Sequence, residues 1–158
     1  MIVVSNTTPI ISLASIGKID ILKRFFDTVY ISQAVYDELK SKDSFGFDEI
    51  DDPFFQIVSI KDTIATDILL NDLDLGEAQT IVLAKELNAN MVLIDENIGY
   101  KIAKSQNLNV KRTLSLLITA KNKKYIKTIK PLLDDMITNK RWISKSVYFE
   151  VLKVCKEL

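Results

Sequence analysis

Short apolar runs, rich in β-branched residues, alternate along the 158-residue chain with segments whose apolar residues recur at helical spacing. The runs predict strands at Ile2–Ser5, Thr28–Ile31, Met91–Ile94 and Leu108–Val110, and a fifth short strand or an extended edge at Phe55–Ile60. Parallel strands must be joined by a crossover of about a dozen residues or more, which is usually a helix. The alternation therefore predicts an α/β fold with helices on both faces of a central, mostly parallel sheet. The length suits a single domain spanning residues 1–158.

The helical segments carry start and stop signals. Thr8 before Pro9 predicts the N-cap of a first helix that ends near Gly17, and Ser32 and Thr113 predict caps for two later helices. The other predicted helices span Ile19–Phe26, Gln33–Lys40, Gly76–Leu87, Asn97–Ser105, Leu114–Lys121, Ile126–Ile137 and Ser144–Glu157. The polar, acidic segment Ser41–Pro53 predicts a loop or a frayed helix end.

Histidine is absent from the chain, which excludes several kinds of catalytic site. There can be no histidine general base, no Ser-His-Asp or Cys-His nucleophile and no histidine-bound zinc. The single cysteine, Cys155, cannot form an internal disulfide, which favours a reducing, cytoplasmic location. No apolar run has the length of a membrane span, and the first residues lack the basic start of a signal peptide. Any catalysis must rest on Asp, Glu, Lys, Ser, Thr, Tyr or a bound metal.

The net charge of the chain is zero, but the charge is unevenly distributed. Residues 1–96 carry 7 basic and 17 acidic side chains, for a net charge of −10, and residues 97–158 carry 14 basic and 4 acidic ones, for +10. Such an asymmetry indicates an acidic site beside a basic surface for a polyanion. The alternative, to which we give equal weight, is that folding mixes the two halves and cancels the asymmetry.

Polar side chains stand directly after two of the predicted strands. Asn6 follows the first strand, and Asp95 follows the strand Met91–Ile94. Open parallel sheets bind ligands at the carboxyl ends of their strands, so neighbouring strands would bring both side chains into one crevice. Two helical carboxylates, Glu38 and Glu77, could join them. Clustered carboxylates repel one another unless a cation intervenes, and Mg²⁺ or Mn²⁺, which prefer oxygen ligands, are the expected cofactors. Taken singly, each residue has an ordinary alternative as a turn former, a helix cap or a solvated group.

Five segments, in a fixed order, carry a family resemblance: VVSNTTPIISLASIGKIDILKRFF, VYISQAVYDEL, LDLGEAQTIVLAKEL, MVLIDENIGYKIAKSQNLNVKRTLSLLITAK and KTIKPLLDDMITNKRWISKSVYFEVLK. They resemble PIN domains, and more closely the PIN-like proteins related to VapC-type toxins. The match is weakest across Ser41–Asn71. The resemblance implies a three-layer α/β/α fold whose ring of acidic residues binds Mg²⁺ or Mn²⁺ and hydrolyses RNA.

The resemblance also assigns residues to this ring. The catalytic positions fall on Asn6, Glu38, Glu77 and Asp95, and the metal ligands on Asn6, Glu77, Asp95 and Asn97. A hydroxyl beside the first ligand is expected from Thr7 or Thr8, and Thr113 is expected near the pocket. Because Asn6 and Asn97 are amides where the wider family has carboxylates, the ring would hold three carboxylates instead of five. An amide oxygen can ligate a hard cation but brings no charge, so weaker metal binding is expected.

The basic residues after Asp95 are the candidate RNA surface. Lys101, Lys104 and Arg112 could neutralise phosphates, and Arg112, which replaces a glycine of the family pattern, could instead cap a strand end. Tyr100 and Tyr125 could stack on unpaired bases or be ordinary half-buried tyrosines.

Three functions are compatible with the sequence. The leading hypothesis is a metal-dependent endoribonuclease with RNA as substrate; the resemblance further implies a homodimer and a small antitoxin protein as partner. The second is a weakened PIN-like module that binds RNA or a partner protein without cutting. The third is a small nucleotide-binding α/β protein, which the absence of a P-loop or a clustered glycine motif disfavours.

Overall fold

The computed structural model of the protein describes residues 1–158 and contains one five-stranded, wholly parallel sheet. The strands are β1 (Val3–Ser5), β2 (Val29–Ser32), β3 (Phe55–Val58), β4 (Met91–Leu93) and β5 (Val110–Lys111), in the order β3-β2-β1-β4-β5. The predicted α/β class with a parallel central sheet is therefore confirmed, and all five predicted strands are present.

Helices occupy most of the chain between and after the strands. They are α1 (Thr7–Ser15), α2 (Asp20–Phe25), α3 (Gln33–Lys40), α4 (Thr63–Leu69), α5 (Leu75–Glu86), α6 (Asn97–Ser105), α7 (Thr113–Asn122), α8 (Lys130–Thr138) and α9 (Lys145–Val154). A 3-10 turn at Glu49–Asp51 lies within the segment predicted to be a loop. None of the helices combines the length and the apolar character that crossing a membrane requires.

Two predicted helix caps are wrong. Thr8 lies inside α1, whose cap residue is Asn6, so Pro9 occupies the first turn. Proline is tolerated there because the first N–H groups of a helix have no backbone acceptors. Thr113 is the first residue of α7 rather than its cap, and its hydroxyl bonds to Asp95 instead. The cap predicted at Ser32 is confirmed, since its hydroxyl accepts from the N–H of the third residue of α3.

Successive residues of the central strands pack into two different cores. Val3 of β1 and Leu93 of β4 contact apolar residues of α1, α7, α8 and α9 on one face of the sheet. Val4 and Val92, their immediate neighbours, contact residues of α5 and α6 on the other face. This alternation is the period of two of a β-strand, and each buried aliphatic side chain contributes about 1.5–3 kcal/mol. Because both faces of the sheet are covered, the predicted three-layer α/β/α arrangement is confirmed.

The strand order reverses at β1. The chain moves from β1 to β2 and β3 on one side, and then adds β4 and β5 on the other side of β1. The reversal opens a crevice at the carboxyl ends of β1 and β4, where open parallel sheets bind their ligands. Ser5 of β1 pairs with Leu93 of β4, and the next N–H, that of Asn6, donates to the Leu93 carbonyl at 3.0 Å. The residues that follow β1 and β4 are thereby brought together.

Candidate functional site

Asn6, the residue after β1, lies at the base of this crevice and is only 3% exposed. Its amide nitrogen donates to Oε2 of Glu96 at 3.3 Å. Its amide oxygen lies 3.5 Å from the Thr80 hydroxyl, which donates its proton to the Gly76 carbonyl at 2.7 Å. An amide suits this position because its nitrogen offers a donor to the neighbouring carboxylate. A carboxylate in its place would meet Glu96 with like charge.

Asp95 follows β4 after one further apolar residue, and its carboxylate is held by the start of α7. The backbone N–H of Thr113 donates to its Oδ1 at 2.8 Å, and the Thr113 hydroxyl donates to its Oδ2 at 2.7 Å. Burial raises the pKa of Asp95 above its usual value, and the two hydrogen bonds from Thr113 act in the opposite direction. The carboxylate is therefore fixed in direction by two donors from one residue.

Glu38 reaches the crevice from the last turn of α3. The Thr7 hydroxyl donates to its Oε2 at 2.5 Å, which ties α3 to the first residue of α1. Gly76 of α5 makes room for this carboxylate, because a Cβ at that position would lie 2.9 Å from Oε2 of Glu38 and 3.6 Å from Oδ1 of Asn6. The glycine therefore lets the carboxylate of one helix pass against the backbone of another.

Glu77 stands in the first turn of α5, which Asp74 caps by accepting the Glu77 N–H at 2.8 Å. In a capping box, the glutamate would return a hydrogen bond to the backbone N–H of the cap residue. That bond is absent, and the carboxylate instead extends toward α6, where a Cβ on Gly99 would lie 3.1 Å from its Oε2. Glu77 is thus directed into the crevice and does not serve its own helix end.

The electrostatic environment of Glu77 is unfavourable for a charged carboxylate. Burial, the Asp74 carboxylate and the nearby carboxylates of Glu96 and Glu38 together raise its pKa from 4.5 to about 7. No side chain donates a hydrogen bond to it, in contrast to Glu38, Asp95 and Glu96. Glu77 is therefore the carboxylate of the crevice whose charged form is most strongly disfavoured.

Two carboxylates that the sequence did not nominate belong to the cluster. Glu96 accepts hydrogen bonds from the Asn6 amide at 3.3 Å and from the Thr8 hydroxyl at 2.5 Å, and Asp74 lies beside Glu77. Asn97, which the family pattern nominated, is exposed and accepts a hydrogen bond from Arg112 at 3.0 Å. Glu96 lies between Asp95 and Asn97 in the sequence, so its acidic side chain could have been recognised as a candidate. The family resemblance instead assigned the ligand position to Asn97.

The donor set fits a hard divalent cation held largely through water. It consists of carboxylate, amide and hydroxyl oxygens, with no nitrogen or sulfur ligand, which suits Mg²⁺ or Mn²⁺. As the side chains stand, no three carboxylates converge closely enough to hold an ion directly. Glu38, Asp95 and Glu96 are instead turned toward the threonine hydroxyls of residues 7, 113 and 8. Burial and then the neighbouring carboxylates raise the pKa of Glu77, and a cation would offset the repulsion, so the residues present suit an ion that keeps several waters.

The basic and aromatic residues nominated by the sequence occupy varied surroundings. Lys101 and Lys104 are exposed on α6. Arg112 donates to the Asp95 carbonyl and to Asn97, and its guanidinium lies 4.2 Å from the ring centroid of Tyr100. The Tyr125 ring lies 5.1 Å from that of Phe25 and 4.2 Å from the Arg24 guanidinium. Both tyrosine rings therefore already have partners within the protein.

Comparison with known proteins supports one family assignment. No curated protein sequence matches the chain significantly. The model of one family, DUF3368, which is described as a PIN domain, matches residues 2–157. Because this match covers almost the whole chain and agrees with the parallel three-layer fold, the chain belongs to the DUF3368 family of PIN domains.

Proposed function

We propose that the protein is a metal-dependent endoribonuclease that hydrolyses RNA phosphodiesters. The observation that carries the proposal is the gathering of five carboxylates, from α3, α5 and the segment after β4, at the switch point of the sheet. Burial and the neighbouring carboxylates together raise the pKa of Glu77 to about 7. Clustered carboxylates lower the stability of the fold when no cation is bound. A cation site that acts on a phosphodiester would explain why the protein keeps them together.

The residues of the cluster have distinct roles in this proposal. Glu77, Glu38 and Asp95, together with Glu96, would hold Mg²⁺ or Mn²⁺ directly or through water, and Asn6 would act as a neutral ligand or orient a bound water. Asn97 remains a further candidate ligand at the mouth of the crevice. The ion, when bound, would supply an activated water and neutralise charge on the phosphodiester. Thr7, Thr8 and Thr113 hold the carboxylates in position by the hydrogen bonds described above.

The first test is cleavage of single-stranded RNA by the purified protein with Mn²⁺. We expect Asp95→Asn and Glu77→Gln each to lower the cleavage rate by about 100-fold or more, because each removes charge from the cluster. Asp67→Asn on α4 is the matched control, since this exposed aspartate has no hydrogen-bond or ion-pair partner. Equal cleavage by all four proteins would mean that a contaminating nuclease is responsible and that the proposal is wrong.

A second candidate function is RNA or protein binding without cleavage. It is favoured by the amides at positions 6 and 97 and by the absence of three carboxylates converging on one point. Calorimetric titration with Mn²⁺ separates the two functions. Measurable binding at millimolar metal, abolished in Glu77→Gln, supports the nuclease, whereas the absence of heat in the wild type supports the binding module.

We further propose that the protein acts in the cytoplasm as a homodimer and that it is the toxin of a toxin–antitoxin pair. An exposed apolar strip on α4, with Ile64 74% and Ile68 63% exposed, is consistent with a protein interface. Sedimentation of the wild type beside Ile68→Glu would test whether this strip holds two copies together. A neighbouring gene for a small DNA-binding protein would support the toxin role, and co-purification of its product would test the pairing.

A further inference from the structure

A groove of about 860 Å³ lies directly beside the carboxylate cluster. Thr8, Asp95 and Glu96, which belong to the cluster, line part of it. The connection between α8 and α9 forms another wall, and it brings Lys140, Arg141 and Trp142 to the groove. None of these three residues was nominated by the sequence, because they lie in a loop whose position relative to β4 follows only from the fold.

The basic side chains of this wall are not neutralised within the protein. Neither Lys140 nor Arg141 takes part in an ion pair or a side-chain hydrogen bond. The Nε atom of Arg141 is buried and has no hydrogen-bond partner. A buried donor without an acceptor is unfavourable, so an anionic oxygen at this wall would be stabilised by both charge and hydrogen bonding.

Trp142 supplies a surface of a different kind. It is 87% exposed, the most exposed large hydrophobic side chain of the protein, and no aromatic ring or cation covers it. An exposed indole beside unpaired basic side chains matches the two components of single-strand nucleic-acid sites, a cationic track and a stacking platform. The tyrosines nominated by the sequence lack this property because their rings are already covered.

We propose that the groove binds a single-stranded RNA segment, with a base stacked on Trp142 and adjacent phosphates on Lys140 and Arg141. The strand would continue past Thr8 to the carboxylates, so this part of the inference rests on the proposed nuclease function. The charges that line the groove favour this occupant. Lys140 and Arg141 would attract phosphates, and Arg112 could hold a phosphate beside Asp95 and Glu96, where a bound cation would offset the repulsion from these carboxylates.

The test uses the fact that Trp142 is the single tryptophan of the chain, so intrinsic fluorescence reports on this site alone. With metal removed by chelation, an oligouridylate of about 10 nucleotides should quench the emission, because a stacked base contacts the indole. Trp142→Ala should weaken binding, measured by anisotropy of a labelled oligouridylate, by about tenfold, and Trp142→Phe should retain most of the affinity. Lys140→Ala/Arg141→Ala should weaken binding and reduce the slope of log affinity against log salt by about 1.4, because each lost phosphate contact of a single strand removes about 0.7.

Lys127→Ala/Lys153→Ala is the matched control, because it removes the same charge from exposed positions outside the groove. We expect it to bind the oligonucleotide nearly as the wild type does. Equal loss in the two double variants would mean that net charge alone governs binding and would overturn the proposal. Inorganic polyphosphate is the second control, and competition as effective as that of RNA, with no effect of Trp142→Ala, would also overturn it.

The outcomes also separate this inference from the proposed function. Quenching that persists in Asp95→Asn, together with no cleavage by any protein, would retain the groove and reject the nuclease. Cleavage by the wild type without quenching, and with an unchanged KM in Trp142→Ala, would reject the groove and retain the nuclease. Trp142 emission that shifts with protein concentration in the absence of RNA would show that a second copy of the chain covers the groove.

Discussion

Threonine hydroxyls determine where the carboxylates of the crevice point. Thr7 donates to Glu38 at 2.5 Å, Thr8 to Glu96 at 2.5 Å and Thr113 to Asp95 at 2.7 Å. Each of these threonines stands in the first turn of a helix, where its hydroxyl can act on a neighbouring element without disturbing the helix interior. Glu77 receives no such donor. Three of the five carboxylates are therefore oriented by threonine hydroxyls, Asp74 caps α5, and the charge of Glu77 is opposed by its surroundings.

The raised pKa of Glu77 gives the metal-free protein a specific pH dependence. A carboxyl whose pKa is higher in the folded than in the unfolded state binds more protons when folded, so stability falls as the pH rises between the two values. For Glu77 this window runs from 4.5 to about 7. We expect Glu77→Gln to reduce the fall in Tm across this window, measured by thermal unfolding in a chelating buffer. A wild type and variant whose Tm values run parallel from pH 4.5 to 7 would contradict the assignment.

At the level of elements, the sequence predicted those features that local chemistry determines. The bounds of α6 were predicted as Asn97–Ser105, as found, and the strands were recognised from their apolar, β-branched runs. α4 was missed although Ile64 and Ile68 recur at helical spacing, because the helix has only 7 residues and lies in the stretch where the family resemblance is weakest. The last-but-one helix begins at Lys130 rather than Ile126, because the preceding residues form a turn that packs Ile126 against the core without helical hydrogen bonds.

The composition of the cluster could be predicted only in part. Asn6 meets the segment after β4 because β1 and β4 are neighbouring strands. The alternation of strands and helices in the sequence predicts a parallel sheet, but it does not say which strands are neighbours. The roles of Glu38 and Glu77 came from the family resemblance and stay predictions. Asp74 was overlooked because an aspartate before a helix is fully explained as a cap. Glu96 was overlooked because its direction depends on the turn between β4 and α6, which the sequence does not determine.

Substitution of Gly76, where α3 approaches α5, tests the role of Glu38 in the cluster with little effect on the stability of the fold. Alanine at position 76 would place its Cβ 2.9 Å from Oε2 of Glu38, so the flexible carboxylate must move away from Thr7. Stability should change by less than about 1 kcal/mol, since alanine favours the helix, while RNA cleavage should fall by about tenfold. Urea denaturation and initial cleavage rates measure the two effects. Adding Gly76→Ala to Glu38→Ala should cause no further loss, and an additive loss would mean that Gly76 acts through another residue.

At the scale of the whole molecule, the charge asymmetry of the sequence is partly preserved by the fold. The groove lies where the two halves of the chain meet: Thr8, Asp95 and Glu96 come from the acidic half, and Arg112, Lys140 and Arg141 from the basic half. The reversal of strand order at β1 brings this about, since it places β4 and the helices after it against the end of β1. Acidic and basic side chains that line the same groove agree with the acidic site beside a basic surface that the sequence indicated for a polyanion.

Metal binding at the crevice should be linked to the stability of the whole fold. Asn6→Asp replaces the donor that faces Glu96 at 3.3 Å by a carboxylate, and in metal-free buffer it should lower the free energy of unfolding by about 1–3 kcal/mol. Mn²⁺ should restore this loss and raise the Tm of the variant more than that of the wild type, because the added charge strengthens binding to the folded state. Asn122→Asp, at an exposed position, is the control. Equal Mn²⁺ shifts in all three proteins would contradict a cation site at Asn6.

The raised pKa of Glu77 has a consequence for how a cation would enter the crevice. Near neutral pH this carboxyl is partly protonated, so a divalent ion that ligates it must displace a proton into solution. The chain has no histidine to release or absorb protons in the same range. The heat of Mn²⁺ binding should therefore vary with the ionisation enthalpy of the buffer, and the affinity should rise with pH up to about 7 and then level off. Proton and metal compete for one carboxylate, and the acidity of the medium sets which of them the crevice holds.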